Sequence, residues 1–201
     1  MAGGFAILVG TLILGIVNVP ASIIVNRAII TPYRLPANVR ESLRILLSPH
    51  ELQNPVRLFA TPGMMTGVAL RCACLPLMIV MRRLLAGNDL RAASFGGLLA
   101  FALFQALSAA WITPIDVVVT KLSVQPNQGG EVSVEDPDGD TPEGLRFAGT
   151  DEDVVGLRPT TDPYTGFRDA VRKIVDEEGW QALYRGWWWT SIAAVVSALH
   201  T

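Results

Sequence analysis

The chain has 201 residues, half of them hydrophobic and only 17% charged, with a mean hydropathy of +0.38. These proportions lie outside the usual range of a water-soluble domain and point to a membrane protein whose principal partner is the lipid bilayer. The net charge of −2 is unevenly spread: residues 126–163 hold ten acids against two arginines, leaving the remainder basic by six, and no nucleic-acid binding is expected.

In chain order, the first apolar segment runs from about Phe5 to Ile30, residues 5–30, and is interrupted by Pro20. Its uncharged beginning lacks the basic leader of a secretory signal and is long enough to cross a bilayer. In "PANVRESLRILLS", Val39, Leu43, Ile45, Leu46 and Leu47 can form one face of a short amphipathic helix, with Arg40, Glu41 and Arg44 on the other. The second span is expected over about 62–81, with one internal charge, Arg71, and the pair Arg82–Arg83 at its end.

The third segment, about 92–120, opens with 24 uncharged residues, Ala92 to Ile115, and then presents Pro114 and Asp116. It is followed by the Gly-, Pro- and acid-rich tract 126–163, expected as a disordered loop. A surface helix is predicted over about 166–178, with Phe167, Ala170, Val171 and Ile174 on one face and Gly179 as its stop. The last segment, 187–201, begins with Trp187–Trp188–Trp189 and is shorter than the roughly 20 apolar residues a span requires. Tryptophans of this kind anchor helices at the membrane interface, so an incomplete span continuing beyond Thr201, in a fragment or a truncated family member, is expected.

Cys72 and Cys74 would point roughly 200° apart on a helix, too divergent to pair, and read as small apolar residues. His50 and His200 are isolated, so neither metal nor cofactor is expected, and no nucleophile–base spacing suggests an enzyme. The two long connections, 31–61 and 121–186, together with Arg27 hold twelve of the sixteen Lys and Arg residues. The basic-side rule places both on the inner side of the membrane.

Two units are self-similar. "PASIIVNR" (Pro20–Arg27) and "PIDVVVTK" (Pro114–Lys121) share Pro first, Val sixth and a base eighth, while "RLFATPG" and "ALYRGWW" stand at the entrances of the following spans. On these residues the chain resembles the mitochondrial carrier family, whose odd-numbered helices end in Pro-x-Asp/Glu-x-x-Lys/Arg-x-Lys/Arg. Its surface helices end in Asp/Glu-Gly, followed by an aromatic and Lys/Arg-Gly. Pro114, Asp116 and Lys121 match the first motif, and Glu178, Gly179, Tyr184, Arg185 and Gly186 match the second.

The resemblance implies an all-α membrane protein built from carrier-like repeats of kinked transmembrane helices with short surface helices. The first, divergent repeat would be 1–88 and the second 89–201. It implies a multi-pass protein of a mitochondrial membrane, the inner rather than the outer, moving a small-molecule substrate by alternating access. Pro20, Arg27, Pro114, Asp116 and Lys121 would form the matrix-side gate, and Arg71, one position past the family's basic site, is the substrate-contact candidate.

Departures from the pattern keep an alternative open. Val119, Ser22 and Val25 stand where the motif asks for charges, and Thr66 and Trp189 occupy the family's Pro positions. An eroded gate suits a non-transporting membrane scaffold, for example in outer-membrane fusion, with self-association or a protein partner. A two-repeat chain also falls short of the family's three-repeat barrel.

Overall fold

Proline has no amide to give the carbonyl four residues behind it, so a helix is best begun, not continued, at that residue. The first apolar segment accordingly divides at Asn18, two residues before Pro20, into α1 (Ala2–Val17) and α2 (Val19–Ile30). Asn18 keeps helical dihedrals, and the ladder resumes with the amide of Ser22 donating to its carbonyl. The computed structural model describes residues 2–31, 34–87, 93–126 and 162–200. The tract expected as a disordered loop over 126–163 lies outside the described residues except at Pro126, Asp162 and Pro163. All regular structure among the described residues is helical.

The chain between the first and second apolar segments is punctuated by side-chain caps. Asn38 accepts from the amide of Arg40 at the start of α3 (Val39–Leu46). Ser48 and Glu51 form a reciprocal capping box at α4 (Pro49–Gln53), satisfying amides that the first turn leaves open. Of the amphipathic face expected in this region, Leu46 and Leu47 are buried, whereas Val39 is 70% exposed. Val39 opens the helix and has no preceding turn to cover it. A 3-10 turn, Pro55–Leu58, then leads to Gly63 and α5 (Met64–Leu85).

Helix α6 (Phe95–Val124) runs through Pro114 without a break, as α5 runs through Pro76. In water either proline would be a strong helix breaker; within a membrane neighbouring groups can satisfy the freed carbonyls, here those of Ala110 and Cys72. At ~1.5 Å per residue α6 is about 45 Å long and α5 about 33 Å, enough to cross a hydrocarbon core of about 30 Å. Only 11% of the apolar stretch of α5 and 22% of that of α6 is buried within the protein. Leu77, Val80, Leu84, Leu99, Leu103 and Leu107 are all exposed. A helix of a soluble core would hide such residues, whereas a bilayer solvates them. Among the described residues α5 and α6 are the two helices long and apolar enough to span.

Helix α7 (Phe167–Glu178) has Ala170 and Ile174 buried on its inner face, and Gly179 ends it at φ 83°. A second 3-10 turn, Trp180–Tyr184, leads to Gly186 at φ 80° and then to α8 (Trp187–His200). Gly63 and Gly186 thus occupy equivalent places, each releasing the chain from a tight turn into an apolar helix through a left-handed residue.

The chain forms two compact units. One comprises Met1–Gly15, Thr66–Val119 and Val171–Thr201. Within it Gly15 packs on Val68 and Cys72, the backbone of Gly97 runs against the carbonyl of Leu85, and Phe101 packs with Ala86 and Leu98. The other comprises Ile16–Met65 and Thr120–Ala170 and buries Ile23, Leu46, Leu58, Met64 and Leu122. There a Cβ on Gly63 would stand 2.5 Å from the amide nitrogen of Phe167, so only glycine lets these two backbones approach.

Candidate functional site

Within the first of these units, α5 carries Arg71 and α6 carries Asp116. Arg71 Nη1 donates to Asp116 Oδ1 at 2.6 Å. The arginine side chain is 63% exposed and that of the aspartate 29%. Of Arg71's three nitrogens only Nη1 is used; Nε and Nη2 meet no acceptor among the described residues. Sequence reasoning singled out both residues separately, Arg71 as a substrate contact and Asp116 as a gate acid, and did not join them.

A helix turns 100° per residue, so Gln105, Thr113, Asp116 and Thr120 share an arc of about 80° on α6. They make a polar stripe along a mostly apolar rod. Gln105 Oε1 and Thr113 Oγ1 on that stripe are buried without a partner among the described residues. Lys121, in the last turn of α6, is partly buried and lies about 140° around the helix from Asp116.

In the second unit, Arg27 has an entirely different setting. It is 4% exposed and faces Glu51, which is 0% exposed. The guanidinium grips both carboxylate oxygens, Nη1 to Oε2 at 2.6 Å and Nη2 to Oε1 at 2.9 Å. Its other donors reach the carbonyls of Ser123, Leu46 and Gln125 at 3.1, 3.2 and 2.7 Å. Five hydrogen bonds account for all five N–H groups of an arginine. They tie the end of α2 to the end of α3, to α4 and to the end of α6. Asn26 Nδ2 adds a bond to Ser123 Oγ at 2.8 Å. Gln125 in turn clasps the backbone of Tyr164, accepting from its amide at 2.7 Å and donating to its carbonyl at 3.1 Å.

The resemblance assigned Arg27 to a gate; the structure puts it in this saturated, buried network. Glu51, Ser123 and Gln125 were missed as its partners, and Asn26 as a partner of Ser123. The one sequence signal for Glu51 is the S-x-x-E spacing from Ser48, which marks a helix start and says nothing of a distant arginine.

The motif residues Glu178 to Gly186 lie in the first unit. Glu178 closes α7, Gly179 and Gly186 adopt positive φ, and Tyr184 meets Trp180 edge to face with centroids 6.1 Å apart. Arg185 is exposed. Ala106, Leu107 and Ala110 with Trp180, Gln181, Tyr184 and Trp187 line an open cavity of about 530 Å³. Pro20 lies in the first turn of α2, and Pro114 lies inside α6 two residues before the paired Asp116.

Two apolar rods left largely uncovered by protein and joined by a charge pair, with short amphipathic helices before and after them in the chain, define an all-α membrane protein. A family model described as "Mitochondrial carrier protein" matches residues 91–200. No curated protein and no solved structure matches the chain. The chain belongs to the mitochondrial carrier family, a family of membrane transporters.

Proposed function

We propose that the protein moves a small metabolite across a mitochondrial membrane, the inner one, by alternating access, with Arg71 as its substrate contact. One observation carries this reading: an ion pair joins two candidate spans while its arginine remains 63% exposed. A charge within a span is costly unless it meets a partner or a water-filled cavity. The polar stripe of α6 supports a cavity over lipid as the surroundings of Arg71. In this reading the chain consists of two carrier-like repeats, 1–88 and 89–201. Asp116 and Lys121 serve the gate beside Pro114. Arg27 belongs to the framework that holds the surface helices, and Glu178, Gly179, Tyr184, Arg185 and Gly186 form the corresponding turn of the second repeat.

Exchange of radiolabelled metabolites by the purified protein in liposomes tests the proposal. Uptake of at least one small metabolite is expected, and Arg71→Gln should abolish it without lowering the melting temperature in detergent. Absence of uptake across carboxylates, nucleotides and amino acids would overturn it in favour of the membrane-scaffold reading. The neutral Ser22, Val25 and Val119 favour that second reading, because a gate lacking those charges closes weakly. If gate chemistry is irrelevant, the double variant Ser22→Asp/Val119→Lys leaves function unchanged.

A further inference from the structure

The ion pair between α5 and α6 also restricts the charge of what can bind there. Arg71 offers its unused Nε and Nη2 donors, and these suit a carboxylate, which accepts two parallel bonds from a guanidinium. Asp116, however, already neutralises Arg71 at 2.6 Å. A simple anion seated on the free donors would leave the site with an uncompensated negative charge beside a second carboxylate. Phosphates and nucleotides, carrying more charge, would fare worse. A molecule bearing one carboxylate and one ammonium group avoids this cost. Its carboxylate meets Arg71, its ammonium meets Asp116, and the site stays neutral with and without ligand.

We propose that Arg71 and Asp116 together form a site for a small zwitterion of the α-amino-acid type, Arg71 receiving the carboxylate and Asp116 the ammonium group. The inference rests on the transport reading only in taking Arg71 as a ligand contact; the assignment of charge class follows from the pair itself. It places Asp116 at the substrate as well as at the gate, so that ligand binding loosens the link between α5 and α6 directly.

Three probes of similar size separate the charge classes: L-alanine, L-lactate (no ammonium) and ethylamine (no carboxylate). Binding is measured by thermal stabilisation of the purified full chain in detergent, which needs no transport, and L-alanine uptake is measured separately in liposomes. L-Alanine should bind the wild type at least about tenfold more tightly than either other probe, the ratio expected when a charged partner is left unmatched. Asp116→Asn should reverse the preference towards L-lactate, and Arg71→Gln should reverse it towards ethylamine. If Asp116→Asn does not fold, the wild-type ratio and Arg71→Gln decide between the same outcomes. Binding of L-alanine without uptake would sink the transport reading and leave the zwitterion site standing. Equal binding of L-lactate and L-alanine to the wild type, no change of preference in the folded variants, or no binding by any probe would each overturn the site.

Discussion

Arg27 and Arg71 each hold a carboxylate at 2.6 Å, yet their surroundings are opposite. Arg27 is 4% exposed, faces a fully buried Glu51 and uses every donor it has, three of them on backbone carbonyls at the ends of helices. Arg71 is 63% exposed and makes one bond. Donor saturation separates the two roles better than the presence of an ion pair does. A buried guanidinium with nothing left to offer can only hold structure, whereas one with free donors at an accessible place can still receive a ligand. Motif position alone does not reveal this contrast. The motif specifies a base at that point but not how many acceptors the fold brings to it.

The comparison breaks first at Glu51. Glu51→Ala leaves Arg27 buried and uncompensated, and should cost about 3–5 kcal/mol. The expected result in a detergent thermal-shift experiment is a chain that no longer melts cooperatively, whereas Arg71→Gln should shift the transition by less than about 1 kcal/mol equivalent. A large loss at Arg71 and a small one at Glu51 would reverse the assignment of roles. Arg27→Lys sharpens the point, because a lysine keeps the charge but cannot reproduce five bonds from one planar fork. A loss of about 1.5–3 kcal/mol is expected.

The two turn glycines supply the next test. Gly63→Ala combines an unfavourable φ of 79° with a Cβ that meets the backbone of Phe167, while at Gly186, with φ 80°, a Cβ would meet nothing. Gly186→Ala should cost about 1–2 kcal/mol from backbone conformation alone, and Gly63→Ala about 1–3 kcal/mol more from the forced displacement. Equal losses would mean that the approach of Gly63 to the start of α7 is relaxed in solution. Gln125→Ala removes two bonds to the Tyr164 backbone and should cost about 1–2 kcal/mol. The smallest effect belongs to the exposed pair Arg172–Asp176 at 3.6 Å, where Arg172→Ala should change stability by no more than about 0.5 kcal/mol.

The helical character and the membrane environment were legible from Ala92–Ile115 alone, because 24 uncharged residues suit a bilayer whatever they pack against. The carrier resemblance was legible in Pro114, Asp116 and Lys121 and in Glu178–Gly186, since these spacings are local. The division of the first apolar segment was less so. Pro20 is visible in the sequence, but the break falls at Asn18 because proline fits the first turn of the helix that follows. Pro114 and Pro76 look equally disruptive on paper and lie inside unbroken helices. Val39 fits an amphipathic wheel and remains exposed because it is the first residue of its helix.

What the sequence determined by itself are properties that depend on near neighbours: apolar length, caps such as Ser48 with Glu51, and the glycines that end or begin helices. Only the tertiary structure could decide which charges meet, because Arg27 and Gln125 are 98 positions apart and Arg71 and Asp116 are 45 apart. A pattern of residue types carries no information on such distances. The fold brings five acceptors to one arginine and a single carboxylate oxygen to the other, and that difference in local supply separates the framework from the candidate site.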